Sequence, residues 1–262
     1  MKKRKSIRIT RRNFLRFAGC SVPVICAADS FLIEPTWVAI RHVRITADPT
    51  IRLLHFSDIH YKGNRSFLKK VVQRINSLSP EFTCFTGDIV EDSTYLPQAL
   101  DILSGIQSPL YGVPGNHDYW SGSSFQTISA CFKATGGDWL PDKTAVSADG
   151  RCMFEGIANL KSNIQRQTSE FRSGKRILLS HYPAIMKELE ETGYDIILAG
   201  HSHGGQVRLP FLGPLIVPYG VEGYDAGLYS TPAGPLYVNV GIGTIFPPVR
   251  FLCRPELTVI EI

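Results

Sequence analysis

Ala199-Gly200-His201-Ser202-His203-Gly204-Gly205-Gln206 is the stretch on which the reading of this chain turns. It follows Asp195-Ile196-Ile197-Leu198, a short apolar run that reads as a buried strand. Two imidazoles one residue apart leave that strand on a turn bracketed by glycines, where the backbone can bend sharply and a ligand can come close. A solvated loop would accommodate two histidines equally well, so the other histidines decide. Of seven in the chain, His60, His117, His181, His201 and His203 each follow a short apolar run, and only His42 and His55 do not.

The same arrangement recurs outward from this stretch. Residues 51–56 read as a strand ending in Ser57-Asp58-Ile59-His60, and 82–85 as one ending in Thr86-Gly87-Asp88. Residues 110–113 lead into Pro114-Gly115-Asn116-His117-Asp118, and 176–179 into Ser180-His181. Between them, Phe67, Val71, Ile75 and Leu78 at helical spacing behind a Ser66 cap predict a helix. Further helices are expected around 95–103, from a Ser124 cap through Ala134, and over 183–191. An edge strand is expected at 37–45, short strands near 144–146 and 152–155, a polar exposed segment up to Ser173, and strands at 236–240 and 257–262.

Strand, polar turn, helix, repeated, is the order of an α/β chain, and in such sheets sites assemble beyond the carboxyl ends of the strands. Asp58, His60, Asp88, Asn116, His181, His201 and His203 are therefore expected to converge, although the first and last are 145 positions apart. Seven donors exceed what one tetrahedral site needs. Mixed imidazole, carboxylate and amide donors suit Mn, Fe or Zn, with manganese the leading expectation. A central carboxylate can bridge two such ions about 3.5–4 Å apart, so the expected cofactor is two divalent transition-metal ions.

At 262 residues and 44% hydrophobic content the chain can bury a full core as one domain. Its formal charge of +5 is unevenly placed: eight of the 28 basic residues precede the first acid, Asp29, which leaves 20 against 23 acidic in the remainder. The basic balance reports a leader, and no nucleic-acid partner is expected. Within that leader Thr10-Arg11-Arg12-Asn13-Phe14-Leu15-Arg16 resembles a twin-arginine export signal, followed by an uncharged segment, 17–28, too short to span a bilayer. A basic disordered tail is the alternative. The expectation is a leader over 1–33, a catalytic domain over 34–262, engagement of the twin-arginine export machinery, and a location in the periplasm or cell envelope, with the cytoplasmic face of the inner membrane as alternative. The six cysteines show no paired spacing and read mostly as small core residues, one bridge among Cys131, Cys152 and Cys253 being left open.

Asp58-x-His60, Gly87-Asp88, Gly115-Asn116-His117-Asp118, His181 and Gly200-His201-x-His203 together resemble, in order, the five signatures of the calcineurin-like metallophosphoesterases. Within that family the chain is most similar to twin-arginine-exported YaeI/YkuE-type phosphodiesterases, through 201–210, Glu34-Pro35-x-Trp37, Ala226-Gly227-Leu228-Tyr229, Val240-Gly241-Ile242-Gly243 and Arg254-Pro255-Glu256. The resemblance implies a four-layer αββα sandwich of two mixed sheets flanked by helices. It implies that Asp58, His60 and His203 hold one metal, that Asn116, His181 and His201 hold the other, and that Asp88 bridges them. It makes His117 the general acid that protonates the leaving oxygen after attack by a metal-bridging hydroxide, with Asp118 orienting it. The substrate it implies is a small-molecule phosphodiester or a nucleotide-lipid such as UDP-2,3-diacylglucosamine, the lipid A precursor, with the membrane surface as a further partner. Phe211, Leu212, Leu215, Ile216, Tyr219 and Tyr224 either line an acyl or nucleoside pocket or close over the core. Two rivals are a metal-free scaffold on the same fold, opposed by the complete ligand set, and metal-dependent deacylation or amide hydrolysis, opposed by the Gly-Asn-His-Asp turn.

Overall fold

Alternation along the central strands builds the molecule. In the computed structural model, which describes residues 10–160, 171, 174–189 and 193–262, strand β2 (Arg52–Phe56) sends Leu53 to one face and Leu54 and Phe56 to the other. Strands β8 (Lys175–Ser180) and β9 (Ile196–Ala199) do the same, with Ile177, Leu179, Ile196 and Leu198 on one side and Leu178, Ile197 and Ala199 on the other. Strands buried on both faces need a layer on each side. The inward sets meet across an apolar interface in which Tyr111 stacks on Phe154 at 3.8 Å between centroids.

Two six-stranded mixed sheets result. With β1 (Ala39–Arg44), β3 (Phe82–Phe85), β4 (Leu110–Gly112), β5 (Asp138–Trp139) and β14 (Glu256–Glu261), the first runs β1-β14-β2-β3-β4-β5. With β6 (Thr144–Val146), β7 (Cys152–Ile157), β12 (Gly227–Thr231) and β13 (Gly234–Val238), the second runs β12-β13-β9-β8-β7-β6. β2 through β5 pair in parallel, as do β7, β8, β9 and β13. Parallel neighbours end on the same side, so their carboxyl-terminal loops collect at one edge of the sandwich.

Helices α2 (Arg65–Ser77), α3 (Leu96–Leu103) and α5 (Phe125–Ala134) cover the outer face of the first sheet. α2 buries Leu68, Val71, Val72 and Ile75 there, each contributing about 1.5–3 kcal/mol. The fold is thus the expected α/β sandwich of two mixed sheets with helices outside. Over the second sheet the described residues place a 3₁₀ turn, Pro183–Lys187, where a helix over 183–191 is expected; Glu190 and Glu191 lie outside the described residues. The polar segment expected up to Ser173 also falls largely outside them. Helix α1 (Arg11–Ala28) lies within the segment expected to be a leader, and no helix among the described residues is long and apolar enough to cross a membrane.

Local details differ where side-chain capping decides. α2 is capped by Asn64, whose Oδ1 accepts from Phe67 N–H at 3.1 Å, so the helix starts before Ser66. Ser124 does cap α5, through Thr127 N–H at 3.3 Å. The described cysteines Cys26, Cys84, Cys131, Cys152 and Cys253 are free. Phe211, Leu212, Leu215, Ile216 and Tyr219 do not close over the core: all are exposed, while Tyr224 packs beside Tyr229 against the second sheet.

Candidate metal centre

The loops after β2, β3 and β4 bring Asp58, His60, Asp88 and Asn116 to the joint edge of the two sheets; the loops after β8 and β9 bring His181, His201 and His203. All seven residues are buried. Backbone conformation aims them. Asp58, His60, Asp88, His201 and His203 all have positive φ, between 42° and 65°, a left-handed conformation costing a non-glycine residue about 1–3 kcal/mol. The turns close tightly: a Cβ on Gly200 would overlap Ser57 Oγ and the Asp58 carboxylate, and one on Gly115 would overlap Asp88 Oδ1.

Two pockets of donors form. Asp58, His60 and His203 make one, and Asp88, His181 and His201 the other. Asp88 Oδ2 lies 3.5 Å from His60 Nε2 and 3.3 Å from His181 Nε2, between the two sets. Asn116 Oδ1 sits 3.0 Å from His181 Nε2. His181 donates Nδ1–H to Thr86 O at 2.6 Å, and His201 donates Nε2–H to Tyr219 O at 2.8 Å. In its neutral form each ring therefore presents a lone pair on its remaining nitrogen, and those two nitrogens face each other at 3.0 Å. Likewise His60 Nε2 faces His203 Nε2 at 3.0 Å, while Glu91 Oε1 sits 2.7 Å from His60 Nδ1, oblique to the ring N–H. Lone pairs directed at one another in a buried site call for cations between them, so the donor set fits metal ions.

The electrostatics agree. Burial alone would push the His60 and His181 rings down, but the Asp58, Glu91 and Asp88 carboxylates around His60, and Asp88 and Asp58 around His181, outweigh it and hold each at about 9. Burial pushes His201 down to about 4 and His203 to about 3. Burial also opposes ionisation of Asp58 and Asp88, yet the surrounding imidazoles keep both well below the usual carboxylate range. His60 and His181 therefore hold protons between the paired nitrogens when no ion is bound: the carboxylates draw positive charge into the site, and a metal ion would take the protons' place.

His117 stands apart. It opens the short helix α4 (Asn116–Trp120), its N–H donates to Asp88 Oδ1 at 2.7 Å, and its ring is only half-buried, between His60 and the exposed Trp120. It also lies within reach of His60 and Asp88 as a possible third donor group. The sequence assigns Asp118 to orient it. The structure places the Asp118 oxygens instead on the N–H groups of Asp88, Ile89 and Gly115, at 2.8–2.9 Å, so this carboxylate fastens the Asp88 loop to the α4 turn. The carboxylate that faces His117 is Glu91, with Oε2 3.3 Å from Nδ1. Sequence reasoning passed over Glu91; its only signal is an acid three residues after Asp88, where the same loop turns back past the site.

Beneath the site, Arg250 is fully buried and has no carboxylate partner among the described residues. Its guanidinium donates to the carbonyls of Val240, Gly241, Gly243 and Cys253, fixing the 240–243 loop on which Asp58 rests through Gly243 N–H to Asp58 O.

Fold and site together are those of a metal-binding hydrolase. The family described as Calcineurin-like phosphoesterase matches residues 51–205, a span running from β2 to the loop that carries His203, and the chain belongs to that family. It is a metallophosphoesterase. It is similar to the uncharacterized metallophosphoesterase YkuE of Bacillus subtilis (30% identical, covering 96% of this chain and 97% of that one) and to the phosphodiesterase YaeI of Escherichia coli (27%, covering 97% and 99%). A further relative is the UDP-2,3-diacylglucosamine pyrophosphatase LpxG of Chlamydia trachomatis (28%, covering 80% and 83%). Among solved structures, TT1561 of Thermus thermophilus shares the fold at a TM-score of 0.51, 12% identity, and coverage of 74% and 91%.

Proposed function

We propose that the chain is a two-metal phosphodiesterase, with Asp58, His60 and His203 holding one ion, Asn116, His181 and His201 the other, and Asp88 shared. The observation that carries this is the pair of imidazole couples meeting nitrogen to nitrogen at 3.0 Å, one couple in each donor pocket. Two ions bound there, manganese in the first instance, would supply Lewis-acid polarisation of the phosphoryl oxygens and an acidified water. The chain's own part is positional. Thr86 O and Tyr219 O fix the His181 and His201 tautomers, Asp118 holds the Asp88 loop against α4, and Glu91 engages His117 Nδ1. His117 Nε2 is then the atom left to hand a proton to the leaving oxygen, and its partial exposure beside Trp120 puts it at the substrate side.

The substrate class is a phosphodiester, or the pyrophosphate link of a nucleotide-lipid, the latter supported by the relative named for UDP-2,3-diacylglucosamine. The twin-arginine-like leader over 1–33 supports export to the periplasm or cell envelope, ahead of a catalytic domain over 34–262. The test is hydrolysis with and without added Mn, Fe or Zn of bis-p-nitrophenyl phosphate, p-nitrophenyl phosphate and UDP-2,3-diacylglucosamine. Metal-dependent cleavage of the diester or the pyrophosphate in preference to the monoester is expected. Hydrolysis indifferent to chelation, or cleavage of the monoester alone, overturns the proposal. In His117→Ala, metal content should persist while hydrolysis of alkyl esters falls 10²–10⁴-fold.

A further inference from the structure

Three motifs behind the family resemblance contribute no donor to the centre: Glu34-Pro35-x-Trp37, Val240-Gly241-Ile242-Gly243 and Arg254-Pro255-Glu256. They meet in one place, behind the donor pocket of Asp58, His60 and His203. Glu34 opens a 3₁₀ turn, Glu34–Thr36, just ahead of β1, and is 4% exposed. Its carboxylate takes two backbone donors of a loop 219 positions away: Cys253 N–H reaches Oε1 at 2.6 Å, and Leu252 N–H reaches Oε2 at 2.9 Å. Both oxygens are thereby engaged in charge-assisted bonds, which are stronger than neutral ones. Bonds on either side make the same grip. Ser30 O accepts from Arg250 N–H at 3.0 Å, and Trp37 O accepts from Arg254 Nε–H at 2.9 Å, with that guanidinium stacked 3.8 Å over the Trp37 ring.

The other side of the gripped loop faces the donors. Cys253 Sγ–H donates to His203 O at 3.3 Å. Arg250 ties Cys253 O, at 3.0 Å, to the carbonyls of the 240–243 loop. That loop in turn donates Gly243 N–H to Asp58 O at 2.7 Å and Ile242 N–H to Ser57 O at 2.9 Å, and a Cβ on Gly241 would come within 2.7 Å of Asp58 Cβ. Glu34 thus acts, through residues 250–253, on the backbone of both Asp58 and His203. Those two residues hold φ of 51° and 49°, a conformation that persists only where the surroundings over-determine it. In the other donor pocket His181 and His201 are fixed differently, by Thr86 O and Tyr219 O.

We propose that Glu34 is a positioning residue for one of the two ions, the one assigned to Asp58, His60 and His203. Its carboxylate holds the 250–253 loop in the place from which Cys253 and Arg250 set the His203 and Asp58 backbones. Without it the Leu252 and Cys253 N–H groups lose their acceptors, the loop relaxes, and that ion is held less tightly while its neighbour is not. The inference rests on the two-metal reading above and adds to it a residue far from the donors in sequence and outside their contact.

The test is calorimetric titration of the metal-stripped full chain with manganese. Wild type should take up two ions. In Glu34→Ala one binding step should weaken about tenfold or more, the scale typical of groups that orient metal ligands, and the other by about twofold or less. Glu34→Gln, which keeps one carbonyl acceptor, should fall between, and it carries the test where the alanine variant does not fold. Two backgrounds assign the step. Beside His181→Ala, which disables the other pocket, either Glu34 variant should weaken the ion that remains; beside His203→Ala it should leave the remaining ion unchanged. Equal weakening of both steps, which a merely structural role predicts, or an effect that persists beside His203→Ala, overturns the proposal. Two ions bound as in wild type by both Glu34 variants refutes it alone, whereas a wild type that takes up a single ion refutes the two-metal reading and this inference with it.

Discussion

Replacing Glu91 with glutamine separates proton delivery from metal holding. Glu91 places one oxygen 2.7 Å from His60 Nδ1 and the other 3.3 Å from His117 Nδ1, so the change removes one charge from both rings with little change in shape. Carboxylates behind catalytic or ligating histidines are typically worth 10–100-fold, or about 1.4–2.7 kcal/mol of barrier. The expected loss at saturating manganese is of that size in kcat for a dialkyl phosphodiester. For bis-p-nitrophenyl phosphate, whose leaving group needs no proton, it is about threefold or less. The pH profile adds a signed test. Burial lowers the His117 pKa while Asp88 and Glu91 raise it. A general acid works below its pKa, so losing the Glu91 charge moves the basic limb of the profile to lower pH. Measuring kcat against pH for both esters checks this. An unmoved basic limb, or equal losses on the two esters, would refute the role given to Glu91 and His117.

Asp88→Asn should reduce bound metal at both positions, since its carboxylate stands between the two donor pockets; elemental analysis reads this, and full occupancy would contradict the shared role. Arg250→Met should cost about 3–5 kcal/mol in urea unfolding, because four buried carbonyls lose charged donors at once; a loss under about 1 kcal/mol would show that water replaces them. Arg11→Lys combined with Arg12→Lys should stop export without changing hydrolysis by the purified protein, as fractionation and assay would show; continued export would remove the twin-arginine reading.

The convergence of the donors was legible because strand and turn composition repeats, and parallel strands must deliver their carboxyl ends to one edge. The two-sheet division followed from the family resemblance rather than from any one pattern. What the sequence hid is conformational. Asp and His enter the left-handed region more readily than most residues, yet too seldom for Asp58, His60, Asp88, His201 and His203 to announce it as residue types. The family resemblance gave Asp118 the task of orienting His117, but a residue at the third position of α4 points back to the turn and caps it, and Glu91, which the sequence did not single out, faces His117 instead. The 183–191 segment carries helix-favouring residues, yet its chain is held by Gly220 O accepting from Ala184 N–H at 2.9 Å, and a 3₁₀ turn satisfies that contact.

The donors are divided between the two sheets, and this has a kinetic consequence. Asp58 and His203, whose Oδ1 and Nε2 lie 3.5 Å apart, are separated by 145 positions in the chain, so no early local nucleus can hold an ion. Metal capture is therefore expected late, once one sheet has docked on the other, and bound metal would close a long loop. The joint also works in reverse. The spacing of the sheets, set by contacts such as Tyr111 against Phe154, fixes the distance between the two halves of the centre. A substitution deep in that interface can therefore detune the chemistry without touching a single donor.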